Sequence, residues 1–321
     1  MGEITLLVLG KPEDPVVQRV HEVGADVHIK IARTSAELAP ECVSAPVMLN
    51  WLGGAEFNQL VAASPHLEWI HTRHAGVDAA LTPSMLAHPA ILTNGSGVFS
   101  PALGEFVMAG ALYFAKDFAR MLRSKAEKRW QPFLVEELSR QTIGIIGYGD
   151  IGQAIARRAR AFGMRVLAVR RDPSPRPGDE FVNILYPGSD LHQMLAQCDY
   201  AVVAAPLTPE TRHMVGAAEF HVMKPTAIMM NVGRGPVIDE AALVAALQAG
   251  RIRGACLDVF AVEPLPPESP LWQMENVFIS AHTADQTHYW MQDAMDFFLA
   301  QFARWRRGEP LQNIVDKHKG Y

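Results

Sequence analysis

The chain has 321 residues, 49% of them hydrophobic and 20% charged, with a net charge of −5. That length suggests two domains, each with enough apolar content for its own core. Lysine and arginine are scattered rather than striped, which argues against a nucleic-acid partner, and no apolar run approaches the roughly 20 residues of a membrane span.

The first hundred residues carry short apolar segments expected to be strands near Ile4–Leu9, Ala25–Ile29, Val47–Trp51, Glu68–Thr72 and Ile91–Thr93. They read as a smaller α/β domain that lacks a phosphate fingerprint and is suited to positioning a substrate. The opening Met1-Gly-Glu-Ile-Thr has no basic region of the kind a leader carries, so a cytoplasmic protein is expected. Cys42, Cys198 and Cys256 are odd in number and widely spaced among apolar neighbours. This suits buried small hydrophobes better than disulfides or a metal site, and no metal is expected. Pro101 to Trp130 reads as one long helix with surplus apolar surface.

From Thr142 onward, apolar segments at Thr142–Gly147, Arg165–Arg170, Tyr200–Ala205, Ala227–Val232, Gly254–Val259 and Val277–His282 alternate with helical stretches. Such alternation predicts a parallel sheet wound on both faces. Near the end, Met291, Met295, Phe298, Phe302 and Trp305 recur at helical spacing, an aromatic stripe expected to be core. Arg304, Arg306 and Arg307 favour the negative end of that helix, Gly308 caps it and Pro310 forbids its continuation.

One turn is sharply informative. In Thr142-Ile-Gly-Ile-Ile-Gly-Tyr-Gly-Asp-Ile-Gly-Gln153 a strand meets a helix through Gly147, Gly149 and Gly152. The first glycine permits the turn, the second admits a pyrophosphate and the third lets helix pack on strand, with free N–H groups facing the phosphates. Gly147, Tyr148, Gly149, Asp150, Ile151 and Gly152 are therefore candidate cofactor contacts. A carboxylate normally ends the next strand and accepts the ribose hydroxyls of NAD; Arg170 and Arg171 stand there instead. Two guanidinium groups suit the 2′-phosphate of NADP, with NAD as the alternative through Asp172.

Three later strands end in polar runs: Asn231-Val-Gly-Arg234-Gly, Leu257-Asp258-Val-Phe-Ala-Val-Glu263-Pro and Ser280-Ala-His282-Thr. Open α/β sheets bind ligands at that edge. Arg234 offers a planar cation for a carboxylate or carbonyl, histidine titrates near neutral pH and so serves as acid or base, and Glu263 can orient the ring of His282.

With these runs the chain resembles the D-2-hydroxyacid dehydrogenases, the family of glyoxylate/hydroxypyruvate reductases, D-lactate dehydrogenases and phosphoglycerate dehydrogenases. Further matches are Ala75-Gly-Val-Asp78, Gly97-Val98, Glu137-Leu138, Pro206-Leu-Thr-Pro-Glu-Thr-Arg212 and the ending Asn313-Ile-Val-Asp-Lys. The resemblance implies a Rossmann-type cofactor domain, residues 100–286, inserted in a flavodoxin-like substrate domain formed by 1–99 and a returning C-terminal helix, 287–321. It implies that Arg234 binds the substrate's carboxylate and 2-oxo group, that His282 donates the proton and that Glu263 is its partner. It places Asp258 on the nicotinamide carboxamide, and Ala205, Pro206, Thr211, Val232 and Gly233 along the cofactor. Backbone at Ala75, Gly76 and Val77 would hold the substrate, with Trp51, Leu52, His74, Tyr289 and Trp290 as candidate pocket residues. A homodimer is implied.

Three departures stand out. Ala204 replaces a common histidine, Ser139 a common glycine, and Arg170 the ribose carboxylate. None removes the catalytic set, and they bear on cofactor choice instead. The expected activity is NADP-preferring reduction of a small 2-oxo acid to the D-2-hydroxy acid. Oxidation of another small anion such as formate or phosphite, and a dinucleotide-sensing corepressor-like scaffold, are the alternatives.

Overall fold

A computed structural model describes residues 4–321. The chain divides into two compact units, one of Met1–Phe99 with Thr287–Tyr321 and one of Ser100–Gln286.

The first unit holds a parallel sheet of β1 (Ile4–Leu9), β2 (Val27–Ala32), β3 (Val47–Asn50), β4 (Trp69–Thr72) and β5 (Ile91–Asn94) in the order β2-β1-β3-β4-β5, the flavodoxin order. β2 begins later than the pattern suggests, because Gly24 turns with φ 127° and Val27 N–H bonds back to its carbonyl. Asn50 pairs with Thr72 and Thr72 with Asn94, so the chain leaves three neighbouring strands at one edge. The C-terminal helix, Trp290–Arg306, carries its stripe as expected: Met295, Phe298 and Phe302 are buried, and Phe298 stacks on Trp69 at 5.6 Å.

Beneath that stripe lies His71. Its Nδ1 is 2.8 Å from Thr93 Oγ1, which also accepts a hydrogen bond from Trp69 Nε1, while its Nε2 is buried without a partner. Burial drives its pKa down to about 3. An unfolded histidine takes up a proton below about pH 6.5 and the folded one does not, so stability present at neutral pH drains away between about pH 6.5 and 3. The expected slope is about 1.4 kcal/mol per pH unit from this side chain. His71→Leu should flatten acid denaturation followed by circular dichroism; an unaltered slope would mean His71 does not contribute.

The second unit holds β6 (Thr142–Ile146), β7 (Arg165–Arg170), β8 (Ile184–Pro187), β9 (Tyr200–Val203), β10 (Ile228–Asn231), β11 (Gly254–Leu257) and β12 (Val277–Ile279), parallel in the order β12-β11-β10-β9-β6-β7-β8. β8 escapes the sequence pattern because it is a short, partly exposed edge strand ending in proline. β7 spans the expected Arg165–Arg170, whereas β6, β9, β10, β11 and β12 stop sooner than their apolar runs: Ile146, Val203, Asn231, Leu257 and Ile279 lie in register, and the residues after them become loops at the carboxyl edge.

The single long helix expected over 101–130 is two helices, Ser100–Ala115 and Phe118–Ala126. Asp117 sits between them in the left-handed region, φ 52°, and its carboxylate accepts the Arg120 N–H at 3.2 Å as an N-cap. Asp competes with helix through such local bonds, which apolar spacing does not register. The chain has left the helix before Trp130, which is 97% exposed, and Leu134, 98% exposed.

The three cysteines are unpaired and buried, and burial pushes the Cys198 thiol up to about 12. Among the described residues no helix is long and apolar enough to cross a membrane, and no cluster of three His, Cys, Asp or Glu stands ready for a metal.

Candidate active site

The glycine turn joins β6 to the helix Asp150–Ala161. Gly147 has φ 93°, and a Cβ there would lie 2.6 Å from the Ala205 backbone; one on Gly152 would lie 2.7 Å from Gly147 O. Gly149 differs, because its Cβ would meet nothing within 4 Å. Gly149 is also the N-cap and supplies no side-chain acceptor to the first turn. The result is a backbone cradle with open space before the positive end of a three-turn helix, which fits a dinucleotide pyrophosphate. Asp150 opens that helix and Ile151 is half-buried. Tyr148 turns inward, its hydroxyl donating to Gly178 O at 2.6 Å, so it offers the cradle backbone only.

Around the cradle, Ala205 and Val232 are buried and Pro206 is exposed. Thr211 Oγ1 donates to Pro206 O at 2.7 Å and accepts the Thr208 N–H at 2.8 Å, tying down the loop that follows β9.

Arg170 does not lie open to solvent at the end of β7. It is 8% exposed and its fork is closed on Asp179, Nη1 to Oδ1 at 2.7 Å and Nη2 to Oδ2 at 2.9 Å. Its Nε donates to Asp172 O at 2.7 Å, and Nη2 also reaches Ser174 O. The expectation that Arg170 presents its guanidinium to a 2′-phosphate therefore meets a side chain spent on its own loop. Arg171 is half exposed, with Glu210 Oε2 at 3.7 Å. Asp172 pairs with Arg176, and hydrogen bonds from Ser174 hold its carboxyl far below the usual range.

Arg234 follows β10 between two glycines that no other residue replaces. A Cβ on Gly233 would come within 2.7 Å of Ala205 O, and one on Gly235 within 1.9 Å of the Phe260 carbonyl. Asn231 fixes the loop: its Oδ1 accepts Gly233 N–H and its Nδ2 donates to Arg234 O, both at 3.0 Å. One guanidinium nitrogen returns to Gly233 O at 2.9 Å.

Glu263 and His282 come together from the loops after β11 and β12. Glu263 Oε2 lies 2.7 Å from His282 Nδ1, and Oε1 accepts the Phe260 N–H at 2.9 Å. A carboxylate held by two donors keeps a proton on Nδ1 and turns Nε2 outward. His282 itself has φ 53°, an uncommon conformation for a side chain with a Cβ. Asp258 holds it there: its carbonyl accepts the His282 N–H at 2.9 Å, and its buried Oδ1 accepts those of Thr283 and Ala284 at 2.9 and 3.1 Å.

In the first unit, Trp51 and Val77 are buried, Ala75 and Gly76 are half-buried and His74 is exposed. Asn94 Nδ2 donates to Ala75 O at 2.6 Å, and His74 O accepts Gly95 N–H, so this loop is braced against the end of β5.

A family model described as "D-isomer specific 2-hydroxyacid dehydrogenase, NAD binding domain" matches residues 108–284. The chain belongs to that family. The dehydrogenase is 33% identical over 309 residues to a glyoxylate reductase of Thermococcus gammatolerans, covering 95% of this chain and 86% of that one. A D-isomer specific 2-hydroxyacid dehydrogenase of Xanthobacter autotrophicus, solved with NADPH and MES, superposes with a TM-score of 0.85 at 30% identity, covering 99% and 100% of the two chains. An NADPH-dependent glyoxylate/hydroxypyruvate reductase of Sinorhizobium meliloti, solved with NADP and sulfate, gives 0.86 at 27% identity, covering 99% and 100%. This dehydrogenase is accordingly an NAD(P)-dependent oxidoreductase with the two parallel-sheet α/β architecture expected of it.

Two residues of the dehydrogenase site escape motif reading. Asp179 closes the Arg170 fork from nine residues downstream. Asp285 follows His282 in the same loop; burial pushes its carboxyl up, against the pull of His282 and Arg234, while Asp258 adds to the rise. The signal was available as a fourth polar residue in Ser280-Ala-His282-Thr-Ala-Asp285, but nothing in that spacing marks which polar side chain turns inward.

Proposed function

We propose that this dehydrogenase reduces a small 2-oxo acid, of the glyoxylate or hydroxypyruvate kind, to the D-2-hydroxy acid and prefers NADPH. The observation that carries the reading is the 2.7 Å contact between Glu263 Oε2 and His282 Nδ1, beside Arg234 and the glycine cradle. When bound, the reduced nicotinamide supplies a hydride to C2 of the substrate. Arg234 binds the substrate carboxylate and polarises the 2-oxo group, offering its planar cation where negative charge develops. His282 delivers its Nε2 proton to the carbonyl oxygen, and Glu263 stabilises the imidazolium and fixes its ring. Asp258 keeps the acid loop in place. The backbone of Ala75, Gly76 and Val77, with Trp51 and His74, forms the substrate side. The cradle of Gly147 to Gly152, with Ala205, Pro206, Thr211, Val232 and Gly233, holds the cofactor. Relatives named glyoxylate reductases support the substrate class, and a panel of 2-oxo acids assayed with NADPH tests it; turnover of none would overturn it.

The geometry around β7 moves the cofactor argument by one residue. We assign the 2′-phosphate to Arg171, with Arg170 ordering the loop beneath. Solved relatives with NADPH and NADP support the preference. Arg171→Ala should lower the ratio of kcat/KM for NADPH over NADH by about ten-fold or more, the worth of a charged hydrogen bond. A ratio that does not move would return Arg171 to the role of surface charge.

A homodimer is proposed from the segment after Ala126, where Trp130 and Leu134 stand almost wholly exposed. Sedimentation as a monomer would refute it. The three unpaired, buried cysteines suit a reducing cytoplasm, and recovery from an oxidising compartment would contradict that placement.

A further inference from the structure

The contact between Glu263 and His282 is only as well placed as the loop that carries Glu263. That loop leaves β11 firmly anchored: the Asp258 N–H bonds to Asn231 O at 3.0 Å, and the Phe260 side chain is buried in the core. From Ala261 to Pro264 the chain is exposed. The bond from the Phe260 N–H to Glu263 Oε1 spans three residues of the same loop, so it fixes the carboxylate to its loop and not the loop to the sheet.

Two contacts from the chain that follows β10 supply the outside hold. Gly235, next to Arg234, lies against the Phe260 carbonyl, where a Cβ would come within 1.8 Å of the oxygen. Further along, Glu240 Oε2 accepts the Ala261 N–H at 2.9 Å. Among the described residues this is the one protein acceptor found by a backbone N–H between Ala261 and Glu263.

Glu240 opens the helix Glu240–Gln248, where a carboxylate ordinarily serves the positive end of its own helix. Asp239 already caps that helix, accepting the Ala242 N–H at 3.1 Å. Glu240 instead reaches a residue 21 places along the chain. A helix end asks only for charge nearby, whereas a hydrogen bond asks for an oxygen within about 3 Å of its donor, and the two demands can be separated by substitution.

We propose that Glu240 is a positioning residue that clasps the loop carrying Glu263 to the loop carrying Arg234, and so aligns the proton donor with the group that holds the substrate. This rests on the 2-oxo acid reductase reading, in which Arg234 and His282 act on one substrate. Glu240 touches neither substrate nor cofactor in this scheme and acts through Glu263. Freedom gained at Ala261 passes to Glu263 two residues on, and the 2.7 Å contact with His282 Nδ1 loosens. The ring then turns Nε2 away from its working direction, and misplacing a reacting group by about 1 Å lowers rates by up to about 10²-fold.

Two variants set charge against reach. Glu240→Gln keeps an oxygen at the same length and loses the charge. Glu240→Asp keeps the charge, suits the start of a helix equally well, and is one methylene too short for Ala261. In the full-length protein, with glyoxylate and NADPH and the hydride step followed by stopped flow, the aspartate variant should be slower than wild type by about three- to ten-fold, the worth of one hydrogen bond. The glutamine variant should stay within about two-fold, and the KM for NADPH should hold in both. A carboxylate that served only its helix would give the reverse order, so equal rates in the two variants, or a faster aspartate variant, overturn the positioning role. A second readout does not depend on turnover. In protein carrying ¹⁵N-labelled histidine, the His282 Nδ1 proton, assigned by its absence in His282→Asn, should exchange with water several-fold faster in Glu240→Asp than in wild type, and at the wild-type rate in Glu240→Gln. Unchanged exchange in the aspartate variant overturns the positioning role even where the rate falls, whereas faster exchange without turnover of any 2-oxo acid upholds it and overturns the reductase reading.

Discussion

His282→Ala will lower kcat for 2-oxo acid reduction by about 10² to 10⁴-fold, the usual worth of a positioned general acid. The size follows from the proposed role: Glu263 fixes the ring through Nδ1 at 2.7 Å, so the proton proposed to leave is the one on Nε2, and alanine removes it. Because His282 occupies the left-handed region at φ 53°, a second variant separates chemistry from loop geometry. Asparagine tolerates that conformation better than most residues and carries no transferable proton, so His282→Asn should be as slow as alanine with its loop intact. Glu263→Gln keeps shape and loses charge, and should cost less than removal of the acid itself. Stopped-flow measurement of the hydride step reads all three; a His282→Ala enzyme within a few-fold of wild type would remove the histidine from the mechanism.

Arg234→Gln should lower kcat/KM by about 10² to 10³-fold, since it would delete the charge-assisted hydrogen bonds proposed for Arg234 to the substrate and to the oxygen that becomes negative. Arg234→Lys should fall between, because an ammonium keeps the charge but cannot present two parallel N–H groups. The loop itself should survive both, as Asn231 holds the Gly233 N–H and the Arg234 carbonyl through backbone contacts that no side chain at 234 provides. Steady-state kinetics with a saturating cofactor decide it. Near-normal values for lysine would show that charge alone is required, and near-normal values for both would exclude Arg234.

Much of this was legible before any coordinates. The glycine turn announces itself because each glycine answers a different steric demand, two close approaches and one opening, and the structure shows those demands at Gly147, Gly152 and Gly149. Buried parallel strands read as near-continuous apolar runs, so most of the second sheet was visible, while the half-exposed edge strand Ile184–Pro187 was not. The helix break at Asp117 was hidden because apolar spacing continues across it and the cap is a local hydrogen bond. Long-range pairings were the least legible. Arg170 with Asp179, and Trp51 beside Arg73, depend on loop paths and strand register that pattern alone does not encode.

The closed fork between Arg170 and Asp179 changes how cofactor preference should be engineered in this enzyme. The usual recipe exchanges the residue at the tip of the second strand, acid for base or the reverse. Applied at position 170 it would set two carboxylates against each other in a buried place and unfasten the loop from Asp172 to Asp179. A fall in NADPH turnover in such a variant would then report the unfastened loop rather than lost selection, and only the NADPH/NADH ratio would tell the two apart. If the proposed Arg171 assignment holds, a library built on positions 171 and 210 should alter selectivity while leaving the fastening intact.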